Sequence, residues 1–274
     1  MPYIEIQIYE VSEVLEMLIA ELFEIGYDGF EEKDAQLNAF IGDAAFNEND
    51  LILILNKYHL NYSKSIIKDK NWNHIWETNF QPVVVDDFVA VRAEFHQPFT
   101  DVLHEIVITP KMSFGTGHHA TTFMMLQLMR TINFTNKTVF DFGTGTGILA
   151  ILAEKLAAKK IIAGDNDDWS ITNAIENVAT NHCKNITIEK IADAKSSIVF
   201  DIIIANINKN IILENLSNLN NCCVENGEIL LSGLLEDDEK AIIEAVADYG
   251  WKLQKVVKKS GWIAMDYKKV KTLH

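Results

Sequence analysis

Hydrophobic and polar positions run along this chain with two periods, and the change between them divides it into regions. Ile4, Ile6 and Ile8 alternate with Tyr3, Glu5, Gln7 and Tyr9, the period of a strand with one buried face. Val14, Leu15, Leu18, Ile19, Leu22 and Phe23 then recur at helical spacing, with Ser12 placed to cap the helix and Gly26 to end it. Short strands are expected at residues 30–32 and 37–41. Asn47 opens a second helix through Leu51, Leu55 and Tyr58, and a last strand covers residues 61–68. The order β-α-β-β-α-β predicts a small N-terminal ferredoxin-like α+β domain over residues 1–68.

Residues 69–80 have another character. Trp72, Trp76 and Phe80 stand four apart, on one side of a helix that links two domains and buries the joint. Two or three strands around a polar turn follow between Val83 and Ile108. From Thr121 onward helices and strands alternate. Helices are expected at 122–131, 147–158, 169–180, 208–219 and 236–249, and strands at 138–141, 160–165, 186–190, 200–206, 228–232, 251–257 and 262–267. Residues 200–206 are apolar almost throughout, as in a strand buried on both faces. Such alternation predicts a mostly parallel, doubly wound sheet of seven strands, a Rossmann-like α/β domain over residues 81–274. Only residues 258–261 separate the last two strands, which must form an antiparallel hairpin. A parallel sheet with that terminal hairpin is the architecture of class I methyltransferases.

The most informative segment is Val139-Phe140-Asp141-Phe142-Gly143-Thr144-Gly145-Thr146-Gly147. An apolar strand ends near an acidic residue, and three glycines on alternate positions lead into a helix. Without side chains at Gly143, Gly145 and Gly147, backbone can approach a ligand closely. The spacing is G-x-G-x-G, whereas a dinucleotide fingerprint needs G-x-G-x-x-G. The difference favours S-adenosyl-L-methionine over a nicotinamide, against the alternative of a plain strand-to-helix turn. Asp141 can hold a cofactor ammonium directly or through water. Asp165 stands 22 positions after Gly143 at the end of the next strand, where a carboxylate accepts both ribose hydroxyls. It could equally cap the following helix.

Asn206 closes the strand at 200–206. Enzymes that methylate planar amide or base nitrogens carry prolines and an aromatic residue here. This chain reads Asn206-Ile207-Asn208-Lys209, which argues against such substrates and leaves amines open. Capping of the next helix is the structural alternative for Asn206. A further glycine-bearing loop, Met112 to Thr122, contains His118 and His119. Adjacent histidines on one loop rarely chelate one ion, so no metal is expected. The loop is read instead as folding over the cofactor, with His118, His119 and Asn206 as candidates for orienting an amine.

Charge narrows the partners. The 274 residues carry a formal charge of −15, which disfavours direct binding to a nucleic-acid backbone and suits a cationic partner such as a lysine-rich protein. The apolar runs are short and interrupted, and residues 1–5 lack a signal core, so no membrane segment is expected. Three cysteines make no disulfide framework and fit a reducing cytoplasm.

Ser113–Thr122, with its F-G-T-G-x-H-x-T-T pattern, resembles the signature of the ribosomal protein L-eleven methyltransferases (PrmA). The resemblance extends to 141–151, to Asp165 and its helix, to Ala205-Asn206-Ile207, to Leu231-Ser232-Gly233-Leu234-Leu235, and to Asn71-Trp72-Asn73-His74-Ile75-Trp76. Over the first 68 residues it is architectural only. It implies S-adenosyl-L-methionine as cofactor, held through Thr122, Gly143, Asp165 and Asn206. It further implies that the N-terminal domain recognises ribosomal protein L-eleven, whose lysine side chains, and as a further candidate its N-terminal amine, accept the methyl group. Thr144 and Thr146 stand where many members have cysteine and serine, and both keep the loop small.

Overall fold

In the computed structural model the described residues are 3–9, 11, 14–33, 36–67, 80–110 and 115–270. The expected Ser12 cap, the linking helix with Trp72 and Trp76, and loop residues 112–114 lie outside them. The chain separates into two compact units, Met1–Asn79 and Phe80–His274.

The first unit contains β1 (Tyr3–Tyr9), α1 (Leu15–Glu24), β2 (Gly29–Lys33), β3 (Gln36–Gly42), α2 (Glu48–Lys57) and β4 (Tyr62–Ile67). Its sheet has the order β2-β3-β1-β4 with every neighbouring pair antiparallel. Ile4, Ile6 and Ile8 form the core with Leu18, Leu22, Leu51 and Leu55, so both helices cover one face. Tyr3, Glu5 and Gln7 alternate with them on the opposite face, as the period-2 pattern requires. Gly26 ends α1 at φ +95°, its N–H donating to the Phe23 carbonyl at 3.0 Å. The Asn47 side chain caps α2 by accepting from the Asn49 N–H at 3.0 Å.

The second unit begins with a three-stranded sheet, β5 (Val83–Val85), β6 (Val89–Ala93) and β7 (His104–Ile108). The large domain follows as α3 (Ala120–Met129), β8 (Thr138–Phe142), α4 (Ile148–Lys155), β9 (Lys160–Asp165), α5 (Asp168–Thr180), β10 (Ile186–Lys190), β11 (Phe200–Asn206), α6 (Lys209–Cys222), β12 (Cys223–Leu235), α7 (Glu239–Ala247), β13 (Trp251–Lys259) and β14 (Trp262–Lys269). The strand order is β10-β9-β8-β11-β12-β14-β13, with β14 antiparallel to both neighbours. The terminal hairpin therefore inserts its second strand next to β12. Strand order reverses between β8 and β11, which places a crevice beyond their carboxyl ends.

Two element ends differ from expectation for identifiable reasons. β12 starts at Cys223 rather than 228, because Phe200 pairs with Cys223 and Ile202 already with Glu228. The polar run Glu225-Asn226-Gly227 bulges out of an otherwise continuous strand, with Asn226 at φ +60°, and its polarity hides the strand start. α3 starts two residues early because His119, not a hydroxyl residue, supplies its cap. Among the described residues no helix is long and apolar enough to cross a membrane.

Candidate active site

The cleft at the strand-order reversal is lined by Gly115, Thr122, Gly143, Thr144, Gly145, Ile148, Leu149 and Asn206. Gly143, Gly145 and Gly147 all take positive φ (+79°, +54° and +82°), which explains the alternate glycines. At Gly143 a side chain is excluded sterically as well, since a Cβ would lie 2.1 Å from Ile207 Cγ2. The loop is stitched to the next strand: the N–H groups of Gly143 and Thr144 both donate to the Gly164 carbonyl, at 2.8 and 2.9 Å.

Asp165 is oriented by backbone. Its Oδ2 accepts from the Gly145 N–H at 2.9 Å and its Oδ1 from the Asp167 N–H at 3.1 Å. The residue is partly exposed, so the carboxylate keeps lone pairs for a ligand. Asp167, not Asp165, caps α5, accepting from the Ser170 N–H at 2.7 Å. The capping alternative for Asp165 is thereby removed.

Asp141 is fully buried and is not among the residues that line the cleft. Its Oδ2 accepts from the Thr144 hydroxyl at 2.6 Å. Burial, with the charge of Asp165 adding to it, pushes its carboxyl up to about 7. The enclosed carboxylate thereby holds Thr144, and with it the loop that borders the cleft.

Thr122 and Asn206 meet across the cleft, the Asn206 Nδ2 donating to Thr122 Oγ1 at 3.1 Å. Both are buried, and Asn206 Oδ1 has no hydrogen-bond partner. Asn208 caps α6 by accepting from the Ile211 N–H at 3.0 Å, so Asn206 is released from capping as well. A bend in β12 makes room behind this pair. Gly233 sits at φ +79°, where a Cβ would lie 2.2 Å from the Ile207 carbonyl oxygen.

The two histidines face different neighbours. His118 packs edge-on against Phe80 with ring centroids 4.8 Å apart. His119 packs edge-on against Trp262 at 4.7 Å and caps α3 through Nδ1, which accepts from the Thr121 N–H at 3.3 Å. Burial holds its imidazole down to about 4, so it is neutral at pH 7 and a weak proton acceptor. Neither histidine lines the cleft. His119 thus positions the start of the helix that carries Thr122. Periodicity alone places Ile148 and Leu149 in helix core; their position at the start of the helix that follows the glycine loop is the signal that marks them as cleft-lining residues.

This donor set fits S-adenosyl-L-methionine. A main-chain cradle and a buried unpartnered acceptor, Asn206 Oδ1, line the cleft, and the Asp165 carboxylate is held against the Gly145 amide of that cradle. Among the described residues, none of the lining side chains is cationic, which suits a sulfonium ligand better than a pyrophosphate.

The sequence profile of the family described as Ribosomal protein L11 methyltransferase (PrmA) matches residues 7–270. The ribosomal protein L11 methyltransferase of Porphyromonas gingivalis is 38% identical over 261 residues, spanning 92% of this chain and 90% of that protein. That of Chlorobaculum parvum is 36% identical over 289 residues, spanning 99% and 93%. A crystal structure of the ribosomal protein L11 methylase from Lactobacillus delbrueckii subsp. bulgaricus superposes with a TM-score of 0.65 at 30% identity, covering 70% of this chain and 100% of that one.

Proposed function

Because the chain belongs to the ribosomal protein L11 methyltransferase (PrmA) family, we propose that it transfers methyl groups from S-adenosyl-L-methionine to amine nitrogens of ribosomal protein L11. The acceptors are assigned as lysine side chains, with the N-terminal amine as a second candidate. One observation carries the reading: Asn206 Oδ1, buried and unpartnered, stands beside a glycine cradle that excludes side chains.

When bound, S-adenosyl-L-methionine supplies a methyl group on a positively charged sulfur. The backbone at Gly143, Gly145 and Gly147 would admit it and Asp165 would accept from its ribose hydroxyls, while Thr122 fixes the Asn206 amide. Asp141 acts from beneath, keeping Thr144 and the loop in register. Asn206 Oδ1 would accept an N–H of the incoming amine and so orient its nitrogen lone pair. Forming the new C–N bond would break the methyl–sulfur bond, whose electron pair leaves with S-adenosylhomocysteine, and the amine would lose its surplus proton to water. A free lysine has a pKa of about 10.4, so only its minor neutral form reacts at pH 7. Desolvation in the buried cleft favours that form. Alignment can lower the barrier by about 7–11 kcal/mol in favourable cases. No general base is invoked.

Residues 1–68 are assigned to substrate recognition. The first 79 residues hold 15 of the 39 acidic residues but only 5 of the 24 basic ones, a charge balance that suits a lysine-bearing partner. Three free cysteines and a ribosomal substrate assign the enzyme to the cytoplasm. The test is peptide mass spectrometry of purified ribosomal protein L11 after incubation with the enzyme and methyl-labelled cofactor. Label on lysine or the N-terminal amine is expected. Unlabelled protein, or label on carboxylates, overturns the assignment.

A further inference from the structure

Thr146 lies inside the glycine loop yet does not line the cleft, and its side chain is fully buried. Its hydroxyl donates to the Gly115 carbonyl at 2.7 Å. Gly115 belongs to the separate segment that leads into α3 and lines the other side of the cleft. Gly115 and Gly117 sit at φ +99° and +97°, so this segment has a backbone that only glycine adopts readily. The approach is close: a Cβ at Gly115 would lie 3.2 Å from Thr146 Oγ1.

Thr146 is held from behind as well. Its carbonyl accepts from Asn177 Nδ2 at 2.8 Å. Asn177 is fully buried on α5, donates also to Asn173 Oδ1 at 2.7 Å, and accepts from the Thr109 N–H at 2.8 Å. One turn on, Asn181 exchanges two bonds with Val107 in β7, at 3.0 and 2.6 Å. The chain leaving β7 at Thr109 and the chain entering α3 from Gly115 are thus both registered on Thr146.

Resting on the proposed cofactor assignment, we propose that Thr146 is a positioning residue for cofactor binding, braced by Asn177. Its hydroxyl sets the separation between the Gly115 wall and the glycine cradle. Affinity for the cofactor therefore depends on a hydroxyl outside the cofactor's contact surface. Protein-substrate affinity and the chemical step are independent of it, because Asn206 and Thr122 are held by their own bond.

The experiment compares Thr146→Val, which keeps the shape and removes the donor, with Thr146→Ser, which restores it. S-adenosylhomocysteine binding is measured by calorimetry, and KM for S-adenosyl-L-methionine and kcat are measured with ribosomal protein L11. For Thr146→Val, Kd and KM should rise together by about tenfold, the effect of one buried hydrogen bond, with kcat within about twofold. Thr146→Ser should restore both to within about threefold of wild type, a split that general loosening of the fold would not produce. If Thr146→Val is too unstable to assay, Thr146→Ala is read in the same way. Wild-type affinity in the valine variant, or a serine variant as weak as valine, overturns the proposal. Failure of the wild-type enzyme to bind S-adenosylhomocysteine would instead overturn the cofactor assignment on which it rests.

Discussion

The two units of this protein treat polar groups in opposite ways. In the first, hydrogen bonds on the helix-free sheet face lie largely at the surface: the Ser65 hydroxyl donates to Glu5 at 2.9 Å, and Tyr9 and Ser63 are 3.1 Å apart. Among the described residues of that unit, Asn38 is the buried exception. In the second, Thr122, Asp141, Thr146, Asn173, Asn177 and Ser232 are all fully buried. Every one is bonded to backbone or to another buried polar side chain. Burying a polar group is unfavourable unless it is paired, so such groups are spent where geometry must be exact to fractions of an ångström. A recognition face gains from staying solvated, because its pairs can exchange with those of a partner.

That contrast can be broken most forcefully by removing the first unit. Deleting residues 1–68 should lower methylation of ribosomal protein L11 by about 1,000-fold or more, equivalent to about 4 kcal/mol. Calorimetric affinity for S-adenosylhomocysteine should stay within about threefold of wild type. Full-rate methylation by the truncated enzyme would show that recognition resides in the second unit.

Asp165→Ala is expected to have the next largest effect. It removes a charged acceptor for two hydroxyls and leaves the Gly145 and Asp167 amides without their partner, so cofactor Kd should rise about 30- to 150-fold, or about 2–3 kcal/mol. An unchanged Kd by calorimetry would remove Asp165 from the ribose site.

Asp141→Asn should be the mildest for binding and the most informative about burial. In the folded protein the Asp141 carboxyl lies near 7 against an ordinary value of 3.8. The folded state thus holds the proton more tightly than the unfolded one. Its contribution to stability falls as pH rises from about 4 to about 7, then levels off. Removing the carboxylate should flatten that part of the Tm-against-pH curve, while cofactor Kd at neutral pH changes by less than about threefold. A loss of affinity as large as that of Asp165→Ala would mean that Asp141 meets the ligand after all.

Several of these roles are legible in the amino-acid sequence. Alternate glycines after an apolar strand require a backbone of positive φ, and a carboxylate 22 positions later falls at the next strand end because one strand-helix-strand unit has nearly constant length. Less legible is which of several neighbouring polar residues turns into the cleft. Asp165 and Asp167, or Asn206 and Asn208, are equivalent candidates by spacing and composition. Only the hydrogen bonds to Ser170 and Ile211 show that the second of each pair is the cap. For His119 the sequence displays a titratable ring, but not that its Nδ1 is engaged with Thr121 or that Trp262 packs edge-on against it.

Sequence alone determined the order of elements, the parallel sheet with its antiparallel end, the glycine cradle and the class of ligand. Those follow from local periodicity, from backbone angles that only glycine reaches easily, and from covalent spacing along one chain. Tertiary structure decided the burial of Asp141, the release of Asn206 from capping and the registration of Gly115 on Thr146. The bonds of Thr146 to Gly115 and Asn177, and of Asn206 to Thr122, join segments between about 30 and 85 residues apart, where desolvation and close approach, rather than any local pattern, fix what a side chain does.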